Sequence, residues 1–131
     1  MRAFRYFLIL LVTAFTAQGC SGDGKIKNIT VQELKTRLDA ADSLVVLDVR
    51  TPAELEGELG RLSGIINIPV QVLEQRWKEL EKYKDKEIYI ICRSGNRSRT
   101  AAGILAKHGF NVYNVKGGMR AWRKAFGNAN K

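Results

Sequence analysis

The chain has 131 residues, enough for one domain whose hydrophobic core is stable without disulfide bonds. Its formal net charge of +9 favours anionic ligands, but the basic residues form no stripe interleaved with aromatic residues, so we do not expect nucleic-acid binding. The two cysteines, Cys20 and Cys92, do not form a Cys-x-x-Cys pair, which argues against a dithiol oxidoreductase.

The first 20 residues are typical of an export signal. Arg2 and Arg5 precede an apolar segment over residues 7–17, and small or polar residues follow as far as Cys20. A helix over the apolar segment would be only about 16 Å long, whereas the hydrocarbon core of a membrane is about 30 Å thick. We therefore expect an exported protein without a permanent membrane span.

Residues 17–20, Ala-Gln-Gly-Cys, resemble the lipobox of bacterial lipoproteins, in which the cysteine becomes the lipidated first residue. This resemblance implies lipidation of Cys20 and a location in the periplasm or at a membrane surface, with the lipid as the only membrane contact. An ordinary cleaved signal and an uncleaved anchor are the alternatives. A disulfide between Cys20 and Cys92 would tie a flexible terminus to the start of a helix, so it would stabilise the fold little.

Strands and helices are predicted to alternate from residue 26 onward. A Thr-x-x-Glu capping box at residues 30–33 predicts a helix over residues 31–40, after a short strand over residues 26–29. Residues 44–47 are apolar throughout, which predicts a strand covered on both faces. Thr51 and Pro52 are typical of the start of another helical turn.

The middle of the chain predicts a further strand and a longer helix. The strand covers residues 65–68 and ends at Pro69. Apolar residues then recur at helical spacing, which predicts a helix over residues 70–81 with Trp77 facing the core. The mixed-charge run over residues 78–87 is typical of an exposed helix end and turn.

The last third of the chain repeats the alternation and completes the predicted fold. Its elements are a strand over residues 87–91, a helix over 98–108 ended by Gly109, a strand over 111–115, a turn at Gly117-Gly118, and a helix over 119–126 that includes a core residue, Trp122. The whole order predicts an α/β fold with a five-stranded, mainly parallel sheet and helices on both faces.

The sequence CRSGNRS, residues 92–98, directly follows a predicted strand. Ligands of open α/β sheets bind beyond the carboxyl ends of the strands. Gly95 permits a backbone conformation that lets consecutive N–H groups converge as an anion-binding nest at the start of the next helix. These groups, the helix dipole, and the charges of Arg93 and Arg97 favour the thiolate of Cys92. We therefore predict a nucleophilic cysteine with an anion site beside it.

Few other residues are candidates for catalysis. Asp48 ends a strand near the loop, where it could orient Arg50 or Arg97 by an ion pair or act as an acid; its position favours the orienting role. The single histidine, His108, lies at the far end of the helix that follows Cys92, so we interpret it as a helix-end residue.

Four segments together resemble the rhodanese family of sulfurtransferases. They are CRSGNRS at 92–98, LDVRTP at 47–52, GIINIP at 64–69 and GGMRAW at 117–122. The resemblance extends from about Ile26 to Phe126. It implies a single rhodanese-like domain over residues 26–127, with a tether over 21–25 before it and a tail over 128–131 after it.

The resemblance also implies how the loop would work. Cys92 would carry a persulfide during turnover, with no other cofactor and no metal. The outer sulfur would lie among the backbone N–H groups of the six residues that follow, and Arg93 and Arg97 would help to hold an anionic donor such as thiosulfate. The acceptor would be a thiol, cyanide or another protein. The six substrate-binding residues implied are Arg93, Ser94, Gly95, Asn96, Arg97 and Ser98.

Two other functions compete with sulfur transfer. Cysteine phosphatases and arsenate reductases also use a thiolate in an anion cradle, but by comparison their loops place five residues between cysteine and arginine, whereas four lie between Cys92 and Arg97. The tighter loop suits a single sulfur atom. A non-catalytic sulfur carrier or protein-binding module is the second alternative, and the intact cysteine loop argues against a module that has lost its chemistry.

Overall fold

The computed structural model describes residues 25–41 and 43–129; the predicted export signal and Cys20 lie outside them. No helix in this part of the chain is long and apolar enough to cross a membrane. The elements are β1 (Lys27–Ile29), α1 (Val31–Ala40), β2 (Val45–Asp48), α2 (Pro52–Leu55), β3 (Ile66–Asn67), α3 (Val70–Arg76), a 3₁₀ helix (Trp77–Tyr83), β4 (Glu87–Ile91), α4 (Asn96–Lys107), β5 (Asn111–Val115) and α5 (Gly118–Phe126).

The five strands form one parallel sheet in the order β1-β5-β4-β2-β3. Parallel neighbours require crossover connections, and the helices between the strands supply them. The predicted α/β fold is therefore confirmed, with a sheet that is parallel throughout. Because β4 is the central strand, the residue that follows its last position, Cys92, lies in the middle of the carboxyl edge.

The core is divided between the two faces of the sheet. Alternation along β4 sends Ile90 to a face covered by α3, the 3₁₀ helix and α4, and it sends Ile91 to a face covered by α1 and α5. Residues on both faces of this strand are fully buried, which explains its apolar sequence. Trp122 on α5 packs into the second face, as predicted.

The predicted helix over residues 70–81 is wrong in one respect. The α-helix ends at Arg76, and the chain continues as a 3₁₀ helix to Tyr83. A 3₁₀ helix rises about 2.0 Å per residue rather than 1.5 Å, so this segment spans more of the distance back to β4 while Leu80 stays in the core. Trp77 still packs against the core, and its ring stacks on His108 with centroids 4.1 Å apart.

The helix after Cys92 begins at Asn96, two residues earlier than predicted. Gly95 occupies the N-cap position with φ of +101°, a conformation that side chains larger than hydrogen disfavour. The left-handed residue turns the chain at once from loop into helix. As a result, the loop between the cysteine and the helix is shorter than the sequence pattern indicated.

The start of α5 packs directly on the cysteine loop. The N–H of Met119 donates to the carbonyl oxygen of Cys92 at 2.8 Å, and the N–H of Arg120 donates to that of Arg93 at 3.0 Å. These bonds use helix N–H groups that have no partner within α5. The contact is possible because Gly118 has no side chain: a Cβ there would lie 2.4 Å from the Cys92 oxygen, and φ is +56°.

We expect Gly118→Ala to destabilise the fold by about 2 kcal/mol or more, because the added methyl group forces α5 away from the loop in addition to straining the backbone. Denaturant unfolding measures the change. Gly103→Ala within α4 is the matched control, since a Cβ there meets no atom within 4 Å and alanine favours a helix. Equal midpoints for the two variants would contradict this account of the contact.

Candidate active site

Cys92 carries a free thiol that is almost completely buried, with 1% of its surface exposed. The N–H of Gly95 donates to its sulfur at 3.0 Å, and the hydroxyl oxygen of Ser98 lies 3.3 Å from the sulfur. The left-handed turn at Gly95 and the first turn of α4 thus bring both groups back onto the strand end. Sulfur and hydrogen-bonding groups form one compact unit within seven consecutive residues.

Burial and hydrogen bonding act on this thiol in opposite directions. Burial is the largest single influence and raises the pKa of Cys92, because a charged sulfur loses hydration. The Ser98 hydroxyl, in the orientation in which it donates to the sulfur, and the backbone N–H groups of Ser98, Gly95 and Ser94 stabilise the thiolate, and together they hold the pKa of Cys92 below its usual value. The loop therefore produces a buried nucleophile that is more acidic than an ordinary cysteine.

The guanidinium of Arg97 is held by a glutamate on α2. Its two terminal nitrogens donate to the two carboxylate oxygens of Glu54 at 2.8 and 2.7 Å, a bidentate pair. Arg97, followed by the hydrogen bonds from Thr51, lowers the pKa of Glu54 to about 2. The resemblance to the rhodanese family implies that this arginine helps to hold the donor, and in the structure Glu54 fixes its position.

Asp48 forms its ion pair with Arg50, one of the two arginines considered for it. The Nε of Arg50 lies 3.0 Å from one carboxylate oxygen and Nη2 lies 2.7 Å from the other, and both side chains are fully buried. Nη2 also donates to the carbonyl oxygen of Gly60 at 2.9 Å. The pair therefore ties the loop after α2 to the end of β2, and it occupies Asp48 in a structural contact.

The remaining residues of the cysteine loop differ in exposure. Ser94 and Asn96 are exposed, and Arg93 is half-buried. Within residues 25–41 and 43–129, Arg93 has no ion pair, unlike Arg97. Among the described residues, no carboxylate therefore competes with an anionic ligand for the Arg93 side chain.

Two residues that contact this site, Glu54 and Asn114, are not identified by the sequence patterns. Glu54 belongs to a second capping box, Thr51-x-x-Glu54. This spacing predicts the start of a helix, but it does not predict the hydrogen bonds between Glu54 and Arg97. Asn114 accepts a hydrogen bond from Ser98 at 2.6 Å, and no sequence pattern distinguishes it from other strand residues.

His108 is the C-cap residue that follows α4, so it lies at the helix end as predicted. Its ring stacks on Trp77, and its Nε2 lies 3.0 Å from a carboxylate oxygen of Glu74. All of these contacts lie at the opposite end of α4 from Cys92.

Glu54→Gln should destabilise the protein by about 1 kcal/mol at neutral pH, because it removes a partly exposed bidentate ion pair. Since folding lowers the pKa of Glu54 from 4.5 to about 2, the stabilisation is complete above pH 4.5 and is lost as the pH falls to about 2. Denaturant unfolding of both proteins between pH 2 and 7 measures the difference. A difference that stays constant over this range would contradict the assignment.

Comparison with known proteins agrees with this geometry. A family model described as a rhodanese-like domain matches residues 30–125. A Bacillus subtilis (strain 168) protein named "Putative sulfur carrier protein YrkF" is 42% identical over 98 residues, which cover 74% of this chain and 51% of that protein. This chain thus spans about half the length of that relative.

Two other proteins are matched over most of their length. "Putative sulfurtransferase YtwF" of the same Bacillus strain is 36% identical over 98 residues, covering 75% of this chain and 91% of that protein. The crystal structure of a rhodanese-related protein from Thermoplasma volcanium superimposes with a TM-score of 0.68 at 37% identity, covering 76% of this chain and 93% of that one. The family match, these identities and the cysteine loop at the end of the central strand show that the chain belongs to the rhodanese-like domain family.

Proposed function

We propose that this protein is a sulfurtransferase that moves a sulfane sulfur from thiosulfate or a related anionic donor to a thiophilic acceptor through a persulfide on Cys92. The observation that carries the proposal is the set of backbone N–H groups, together with the Ser98 hydroxyl, around a buried sulfur. Such an environment stabilises the thiolate, and the thiolate is the reactive form of cysteine.

The proposed reaction consists of two displacements at sulfur. The Cys92 thiolate attacks the outer sulfur of thiosulfate; a new S–S bond forms, the S–S bond of thiosulfate breaks, and its electron pair leaves with sulfite. An acceptor thiolate or cyanide then attacks the outer sulfur of the persulfide, and the electron pair of that bond returns to Cys92. Neither step transfers a proton, so the site needs no general acid.

Each loop residue has a place in this reaction. The backbone N–H groups over residues 93–98 would hold the negative outer sulfur, as they hold the thiolate. Arg93 is free of carboxylates among the described residues and would bind the sulfonate end of thiosulfate. Arg97, fixed by Glu54, would supply a stationary positive charge at the side of the site.

A sulfur carrier is the second candidate. One relative is named a sulfur carrier, and this chain matches about half of that protein, so a partner domain or protein could receive the sulfur there. A carrier would form the same persulfide but would turn over slowly with thiosulfate and cyanide, and it would pass its sulfur to a specific protein. A phosphatase is disfavoured by the four-residue loop.

We expect the purified protein to gain the mass of one sulfur atom after incubation with thiosulfate and removal of the excess, and to lose it with cyanide. Intact-mass spectrometry measures both steps. Cys92→Ser should gain nothing, whereas Cys20→Ser should behave as the unaltered protein does. If the protein gains no sulfur from thiosulfate and none from polysulfide, the proposal is refuted.

We also propose that the protein is exported and that Cys20 carries a lipid, because residues 1–20 have the order of a signal peptide that ends in a lipobox-like sequence. After expression in a bacterium, the protein should pellet with membranes, and Cys20→Ser should not. If both are recovered in the cytosol at full length, export and lipidation are excluded together.

A further inference from the structure

A chain of hydrogen bonds leads from the Cys92 sulfur to the surface. Ser98, whose oxygen lies 3.3 Å from the sulfur, donates its hydroxyl proton to Oδ1 of Asn114 at 2.6 Å. Nδ2 of Asn114 donates to Oδ1 of Asn28 at 2.9 Å, and Nδ2 of Asn28 donates to the carbonyl oxygen of Ile26 at 3.0 Å. Cys92, Ser98 and Asn114 are each at most 2% exposed, so these three form a buried unit.

The direction of the chain is determined at its outer end. A carbonyl oxygen can only accept, so Asn28 turns its amide nitrogen toward Ile26 and its oxygen toward Asn114. Asn114 must then direct its own nitrogen to Asn28 and its oxygen to Ser98. Ser98 has one hydroxyl proton, and this arrangement gives that proton to Asn114.

The orientation of the Ser98 hydroxyl determines whether it can stabilise a negative charge on the sulfur of Cys92. While Ser98 donates to Asn114, its oxygen can accept the proton of a neutral thiol but cannot donate to a thiolate. To stabilise the thiolate, the hydroxyl must turn to the sulfur, and the buried Asn114 oxygen then loses its donor. A buried acceptor without a donor has an unfavourable free energy of about 1–3 kcal/mol. Asn114 and the sulfur therefore compete for one proton.

We propose that Asn114 is a positioning residue that sets the ionisation of Cys92 by competing with its sulfur for the Ser98 proton. The role in turnover rests on the sulfur-transfer function proposed above. In the persulfide, the inner sulfur is uncharged and the proton goes to Asn114. When the outer sulfur departs, negative charge returns to the inner sulfur and the hydroxyl turns toward it.

Other charges around the thiol come from three places. α4 contributes Arg97, which interacts electrostatically with Cys92, and the end of β2 contributes the pair of Asp48 with Arg50. The loop itself contributes Arg93, whose carbonyl oxygen accepts the N–H of Arg120 from α5. None of these charged residues is altered in the variants below, so differences among the variants arise from the Ser98 proton and from any charge introduced.

The test measures the pKa of Cys92 in proteins that all carry Cys20→Ser, from the pH dependence of alkylation by iodoacetamide. Asn114→Leu removes the competing acceptor and frees the hydroxyl for the sulfur, so the pKa of Cys92 should fall. Asn114→Asp introduces a stronger acceptor and a negative charge, so the pKa should rise by about one unit, with about tenfold slower alkylation below the midpoint. If Asn114 only supported the fold, these two substitutions would not shift the pKa of Cys92 in opposite directions.

Two controls separate the mechanism from general effects. Asn111→Asp places the same charge on the same strand, three residues and about 10 Å away, and should leave the midpoint close to that of the parent protein. Ser98→Ala should raise the pKa of Cys92, and Asn114→Leu in that background should then have no effect, because the shared proton is gone.

A rise or no change in the pKa of Cys92 with Asn114→Leu would overturn the inference. A fall in this pKa when Asn114→Leu is added to Ser98→Ala would overturn it as well. Alkylation does not depend on sulfur transfer, so the two proposals can fail separately. If the shifts appear but thiosulfate adds no sulfur, the function is wrong and the inference is supported. If sulfur is added but the shifts are absent, the inference alone is wrong.

Discussion

The negative charge on a sulfur atom with almost no access to water is the constraint on which the rest of this structure depends. Burial alone would favour the neutral thiol, so the thiolate of Cys92 exists only if donors replace the lost water. The chain supplies them from the three residues Ser94, Gly95 and Ser98, mostly through backbone N–H groups. Because backbone donors cannot rotate away, the cradle is preorganised for an anion before any substrate arrives.

Keeping this loop in place requires contacts from distant parts of the chain. The start of α5 binds two carbonyl oxygens of the loop, and this approach is possible only because Gly118 lacks a side chain. The ion pair of Arg97 with Glu54 joins α4 to α2. The buried pair of Asp48 with Arg50 fixes the neighbouring strand end. Arg93 differs from both other arginines because no carboxylate among the described residues pairs with it.

The sequence predicts the fold well because its signals are local. The fully apolar β4, the capping box at Thr30 and the glycine after α4 each have a physical meaning within a few residues, and the alternation of elements then leaves one sheet topology class. The cysteine loop is readable for the same reason, since Cys92, Gly95 and Arg97 lie within six positions of one another. The sequence does not predict the change from α3 to a 3₁₀ helix, because apolar spacing over one or two turns does not separate the two geometries.

What the sequence could not predict are contacts between residues far apart in the chain. Arg97 and Glu54 are 43 positions apart, and Ser98 and Asn114 are 16 apart, so each pairing requires the folded sheet. The sequence allows either Arg50 or Arg97 as the partner of Asp48, and in the structure Arg50 forms the ion pair. These pairings decide which arginine is free for a ligand and which group receives the Ser98 proton, so the finer chemistry of the site depends on tertiary structure.

The central claim is that hydrogen bonds ionise a thiol that burial would keep neutral. The most direct test is the ultraviolet absorbance of the Cys92 thiolate as a function of pH, in protein carrying Cys20→Ser and with the Cys92→Ser protein subtracted. If hydrogen bonds outweigh burial, the midpoint will lie below the pKa of an ordinary cysteine, which is about 8.5. A midpoint at or above that pKa would show that burial dominates and would contradict the account.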